Sequence, residues 1–212
     1  LVQGLSEFLP VSSSGHLVMA QELMGIVQEG LAFEVAVHVA TLVSVLIFYR
    51  RKVAALILGA LRGEAAAWQY GLKLGLASVP AVLVVLLAGD FLEGQFEAPP
   101  MVGVYLMITG LVLLTTRWTL PHAQSTEITW KIALLIGCAQ AFAILPGISR
   151  SGTTISVAML LGISRPAAAE FSFLASIPLI LGSLVLELPE RVESTEGGGI
   201  LPLAVGFTVS VL

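Results

Sequence analysis

Residues 31–48 read LAFEVAVHVATLVSVLIF, with one carboxylate and one imidazole in an otherwise uncharged stretch, and similar runs occupy 72–89, 101–118 and 167–186. A helix needs about 20 predominantly apolar residues to cross roughly 30 Å of bilayer hydrocarbon. No water reaches the backbone there, so runs of this length must satisfy their N–H and C=O groups internally. Their recurrence predicts an all-α fold, a polytopic membrane helical bundle, with residues 1–212 as a single integral membrane domain. Hydrophobic residues make up 57% of the chain and charged residues 11%, a balance more apolar than a water-soluble core requires. A net charge of −4 and the lack of a basic stripe exclude a nucleic-acid partner. The lone Cys138 can form no internal disulfide and reads as a small core residue. The chain opens inside a motif and stops inside LAVGFTVSVL, so both termini are expected to be truncated, with at least one helix missing.

Charge placement gives an orientation. Arg50, Arg51, Lys52, Arg62 and Lys73 crowd the connection after the first run, which the positive-inside rule assigns to the cytoplasm. Asp90, Glu93 and Glu97 fall on the opposite side with no Lys or Arg among them, and Arg117, His122 and Lys131 return to the first side. The acidic segment ELPERVESTEGGG is then outside. Trp68, Trp118 and Trp130 sit near the expected interfaces, where aromatic anchoring accounts for them.

Two stretches, 1–28 and 132–163, are too broken by Pro, Gly and Ser to be plain spans. They resemble each other. QGLSEFLPVSSSGH and QAFAILPGISRSGT share a Gln, a Leu-Pro step and a Ser-rich turn ending in Gly, and Phe33-Glu34 answers Glu170-Phe171 further on. An odd number of crossings between the copies turns the second upside down. The expected architecture is therefore two inverted repeats, approximately 1–118 and 132–212, each containing a re-entrant helix-loop-helix whose tip meets its counterpart in a polar cavity.

Gln3 and Glu7 lie one helical turn apart on a face that would line that cavity. After Pro10, the residues Ser12, Ser13, Ser14 and Gly15 supply hydroxyls and backbone N–H groups, and His16 an imidazole able to exchange protons near neutral pH. The second turn supplies Ser149, Arg150, Ser151, Gly152, Thr153 and Thr154. Ser/Gly turns that open a helix cradle phosphate oxygens, although any one serine can equally be a plain cap. Arg150 is the most telling, because an arginine at bilayer depth costs about 2.5–3.5 kcal/mol and needs an anion or a wet pocket. Its fork of donors matches a phosphate, and an ion pair with Glu7 is the structural alternative. Glu34, His38, Glu170 and Ser172 are read as hydrogen-bonding residues that pin the turns to neighbouring helices.

At these residues the chain resembles a known family, the bacterial undecaprenyl-diphosphate phosphatases linked with bacitracin resistance. QGLSEFLPVSSSGH is similar to that family's (E/Q)xxxE segment and following Ser-Ser-x-Gly-His turn, PGISRSGTT to its PGxSRSxxT signature, and the likeness extends to AAAEFSFLASIP. The resemblance implies hydrolysis of the C55 isoprenyl diphosphate to the monophosphate lipid carrier and inorganic phosphate, which recycles the carrier for peptidoglycan and other cell-wall synthesis. It implies catalytic roles for Glu7, Ser13, His16 and Arg150, with Gln3, Ser12, Ser14, Gly15, Ser149, Ser151, Gly152, Thr153 and Thr154 binding substrate. Glu7 would also hold a divalent cation, Mg²⁺ or Ca²⁺. Gln3 stands where many relatives carry Glu, leaving one carboxylate on this face. The implied location is the bacterial inner membrane, with the active site open to the outer side. The implied partners are a polyprenyl diphosphate and the lipid bilayer; a homodimer is an open assembly. From another class, inverted repeats with broken helices also fit a transporter or flippase of a phosphorylated lipid, which would bind the phosphate without cleaving it.

Overall fold

The computed structural model describes residues 9–24, 31–96, 98–119 and 123–191. Eight helices run through them: α1 (Ser13–Met24), α2 (Leu31–Phe48), α3 (Arg50–Leu61), α4 (Ala65–Phe96), α5 (Pro99–Thr119), α6 (Trp130–Phe142), α7 (Arg150–Leu160) and α8 (Arg165–Arg191). The described residues contain no strand; extended pairing there is a single parallel bridge between Ser125 and Ile163. The all-helical expectation holds. Helix α2 coincides with the apolar run at 31–48, and α4, α5 and α8 enclose the other three. The broken stretch at 132–163 resolves into α6, an irregular turn and α7. Of the broken stretch at 1–28, the turn before α1 and α1 itself are described.

Local chemistry sets the ends of these helices. Thr129 caps α6 by accepting from the Ile132 N–H, and Ser149 caps α7 by accepting from the Gly152 N–H. At the far ends of α3 and α7, Gly63 (φ +75°) and Gly162 (φ +87°) reverse the chain. In both, crossed bonds satisfy the last carbonyls: Glu64 N–H to Gly59 and Gly63 N–H to Ala60, then Ile163 N–H to Ala158 and Gly162 N–H to Met159. Helix α3 itself departs from the expectation, because the basic segment after α2 is a helix rather than an open connection. Helix α4 contains Pro80 and breaks at Ala88 (φ −138°, ψ 27°). At about 1.5 Å per residue an unbroken helix of this length would outrun the hydrocarbon layer.

Among the described residues, two helical stretches are long and apolar enough to cross a membrane, Ala65–Leu92 of α4 and Pro99–Thr119 of α5, and in each only 17% of the most apolar window is buried. That fraction argues against the core helices of a soluble protein. Side chains such as Leu87 and Met107 are 84% and 72% exposed, a surface that suits lipid. Cys138 corrects an expectation, since it is exposed on α6 rather than packed in the core. In a membrane protein an apolar stretch faces lipid as readily as protein, so apolar neighbours do not imply burial.

The core lies where α4, α6, α7 and α8 meet, around Ala77, Ile136, Met159, Phe171 and Ala175. Small residues bring α4 and α6 close, for a Cβ on Gly137 would stand 2.7 Å from the Ala77 carbonyl oxygen. The Gln140 amide donates to that same oxygen at 3.3 Å. Helix α5 packs against both α1 and α7, and α2 packs against α8. Helix α5 is thus the shelf beneath both Ser/Gly turns.

Candidate active site

The second turn is the more fully constrained. Gly147 has φ +103°, a conformation that favours glycine, and a Cβ there would stand 2.6 Å from the Val102 carbonyl oxygen of α5. The chain is therefore pressed onto the helix backbone. Thr109 of α5 donates its hydroxyl to the Gly147 carbonyl (2.7 Å) and accepts from the Ser149 N–H (2.9 Å). Ser149 then caps α7, its Oγ accepting from Gly152 N–H at 3.1 Å and its carbonyl from Thr153 N–H at 2.9 Å. Half-buried Arg150 is the first helical residue, with Ser151, Gly152, Thr153 and Thr154 buried behind it. Thr154 donates to the Arg150 carbonyl (2.7 Å) and meets the Ser172 hydroxyl of α8 (2.5 Å).

The first turn repeats this pattern in different residues. Ser12 precedes α1, and its Oγ accepts from the Gly15 N–H at 3.3 Å, three residues on, as Ser149 does for Gly152. Ser12 holds φ +63°, unusual for a residue with a side chain and worth about 1–3 kcal/mol of strain. Its carbonyl faces both the His16 N–H (3.3 Å) and His16 Nδ1 (2.7 Å). A carbonyl only accepts, so Nδ1 carries the proton and the neutral ring keeps its lone pair on Nε2. His16 is exposed, while Ser12 and Ser13 are buried.

The two turns meet. A Cβ on Gly15 would stand 2.8 Å from the Gly147 Cα, and one on Gly152 would stand 3.2 Å from the Pro10 Cβ. The contacts are reciprocal: the third residue of each helix is a glycine set against the residue two before the other helix's cap. In this register Ser13 answers Arg150, and His16 answers Thr153. Two helix N-termini, each carrying a positive dipole end, thus abut, and Arg150 opens one of them. Such a place suits an anion with several oxygens.

Of the residues singled out from sequence, the structure assembles Ser12, Ser13, Ser14, Gly15 and His16 with Ser149, Arg150, Ser151, Gly152, Thr153 and Thr154 around this contact. Gln3 and Glu7 lie outside the described residues, as do the side chains of Glu34 and His38. Ser172 pins the second turn through Thr154. Glu170 does something else: it pairs with Lys52 Nζ at 2.8 Å and accepts from the Tyr70 hydroxyl at 3.4 Å, tying α8 to α3 and α4. Burial, and after it the Glu170 carboxylate, raises the Tyr49 phenol above its usual range. Sequence reasoning missed Thr109, which carries no signal as one of three threonines in an apolar run, and Leu106, whose Cδ2 would lie 2.9 Å from a Cβ on Gly15.

The donor set also bears on a metal. Among the described residues no three His, Cys, Asp or Glu side chains gather. What gathers among the described residues is hydroxyls, N–H groups and Arg150, a set that fits an anion. Glu7, the carboxylate expected to hold the ion, lies outside the described residues.

Comparison with known proteins identifies the family. The family model described as "Bacitracin resistance protein BacA" matches residues 1–212. A protein of Carboxydothermus hydrogenoformans named undecaprenyl-diphosphatase is 42% identical over 217 residues, covering 100% of this chain and 80% of its own length. Proteins of the same name from Chromohalobacter salexigens and Alcanivorax borkumensis are 41% and 39% identical, covering 99% and 100% of this chain and 82% of their own lengths. With both signature turns in place and the match running from end to end, the chain belongs to the bacitracin resistance protein BacA family of membrane proteins.

Proposed function

We propose that this chain is an undecaprenyl-diphosphatase, hydrolysing the C55 isoprenyl diphosphate to the monophosphate carrier and inorganic phosphate. The observation that carries this reading is the reciprocal contact of the two turns, Gly15 on Gly147 and Gly152 on Pro10, with Arg150 at the start of α7. Arg150 and the positive N-terminal ends of α1 and α7 hold diphosphate oxygens and offset the charge that develops on the transferring phosphoryl group. A nucleophile attacks the terminal phosphorus, the bond to the bridging oxygen breaks, and the prenyl monophosphate leaves. The nucleophile is a water, which yields orthophosphate directly, or Ser13 Oγ, whose phosphoserine a water then hydrolyses to orthophosphate, and His16 accepts the nucleophile's proton at Nε2. A phosphoserine trapped at Ser13 supports the covalent route, and full activity of Ser13→Ala eliminates it.

Glu7 of the preceding sequence motif is the carboxylate that would hold Mg²⁺ or Ca²⁺, which would supply further charge neutralisation when bound. The finer architecture is part of this proposal: two inverted repeats, approximately 1–118 and 132–212, whose re-entrant hairpins carry the turns to mid-membrane. The reciprocity of the turns and the packing of α2 on α8 support it. The positions of Arg50, Arg51 and Lys52 support a cytoplasmic α3 in the inner membrane, with the site open to the outer side.

The test is direct. Purified protein in detergent, given C55 isoprenyl diphosphate, should release orthophosphate, and Arg150→Ala should reduce release at least about 10³-fold with folding intact. Counterflow of the lipid without phosphate release would replace the enzyme reading by a carrier; substantial turnover by Arg150→Ala would remove this residue from the chemistry.

A further inference from the structure

We infer that Thr109 is a positioning residue for Arg150, an inference that rests on the phosphatase reading for its catalytic consequence and on geometry alone for the clamp itself. Thr109 belongs to α5, outside both Ser/Gly turns, and is 3% exposed. Its hydroxyl is used twice on one short stretch of backbone, donating to the Gly147 carbonyl at 2.7 Å and accepting from the Ser149 N–H at 2.9 Å. Those two groups bracket Ile148, and the residue after Ser149 is Arg150. The clamp therefore fixes the orientation in which the chain enters α7, and with it where the guanidinium starts.

The surroundings explain why this hydroxyl is needed. Ser149 precedes α7, so its N–H has no helical acceptor. Gly147 sits at φ +103° against the Val102 carbonyl, which leaves no room for a side chain to serve from within the turn. Water is scarce at buried positions, and an unmet carbonyl and N–H would draw the backbone toward other partners. The first turn shares the cap, Ser12 accepting from Gly15 as Ser149 does from Gly152, and presents its carbonyl to His16. Helix α5 touches that turn through Leu106, an apolar contact. Thr109 is thus the polar link, among the described contacts, between the shelf and the arginine-bearing turn, and its loss should misplace Arg150 while leaving the apolar seat of both turns in place.

The experiment compares Thr109→Val, which keeps shape and removes both bonds, with Thr109→Ser, which keeps both. In steady-state phosphate release from C55 isoprenyl diphosphate, Thr109→Val should lower kcat at least about tenfold with KM within about threefold, because Arg150 acts most where charge develops. Thr109→Ser should stay within about threefold of the unaltered protein in both. Equal impairment of the two variants, or an unchanged kcat in Thr109→Val, overturns the inference. Hydrogen exchange on the unaltered protein tests the clamp apart from activity and from the folding of any variant. The Ser149 amide should be protected although it lies before the helix, and rapid exchange there overturns the clamp. If the unaltered protein releases no phosphate, the functional reading fails, and the Ser149 amide still decides whether Thr109 holds the turn.

Discussion

Gly15→Ala offers a demanding test of the contact between the turns, because secondary-structure propensity and packing predict opposite signs. Gly15 is the third residue of α1, where alanine is ordinarily better than glycine by about 0.8–1 kcal/mol. Here the added Cβ would stand 2.8 Å from Gly147 Cα and 2.9 Å from Leu106 Cδ2. Carbon atoms in ordinary contact sit about 3.5–4.0 Å apart. Leu106 can rotate, but the Gly147 backbone is held against Val102 and by Thr109, so the turns must separate by about 1 Å. Overpacking of this kind costs about 1–3 kcal/mol of stability. A displacement of that size between groups that act on one phosphate costs about 10²-fold in rate, about 2.7 kcal/mol in the barrier. The assay is initial phosphate release with thermal unfolding measured on the same preparation. Gly103→Ala on α5, where nothing lies within 4 Å of the new Cβ, is the control and should leave activity unchanged. Gly152→Ala should fall between the two, its Cβ meeting Ser149 Oγ at 3.0 Å and Pro10 Cβ at 3.2 Å. A Gly15→Ala protein as active and stable as the parent would refute the reasoning.

Two further outcomes follow from the same structure. The Lys52–Glu170 pair is 40% and 33% exposed, so solvent screens it, and a double-mutant cycle with Lys52→Met and Glu170→Gln should give a coupling below about 1 kcal/mol with phosphate release unaltered; a strong activity loss would give the pair a role in the reaction. Chelation with EDTA should slow phosphate release, and Mg²⁺ or Ca²⁺ should restore it; an unchanged rate withdraws the cation from the proposal.

What could be read from sequence was whatever an apolar background made conspicuous. The Ser/Gly turns and Arg150 stood out because polar groups are costly inside a bilayer, and their pairing was visible because the two turns share a sequence pattern. Helix α3 was hidden behind Arg50, Arg51 and Lys52, which the positive-inside rule treats as a cytoplasmic loop whatever its conformation. Cys138 was misread because hydropathy does not separate a lipid-facing side chain from a packed one. Thr109 and Leu106 act from α5, outside both Ser/Gly turns, so comparing the turns could not reveal them. The Lys52–Glu170 pair joins residues far apart in the chain, and no local signal announces such a partner.

The central claim is that the two turns touch, and a disulfide can measure it. A Cβ at position 152 would stand 3.2 Å from the Pro10 Cβ, close to the roughly 3.5–4.5 Å that a disulfide requires. In a Cys138→Ser background, the double variant Pro10→Cys with Gly152→Cys should oxidise within single chains in native membranes, losing maleimide-PEG labelling until a reductant restores it. Cysteines that stay fully labelled, or that join only between different chains, would contradict the account.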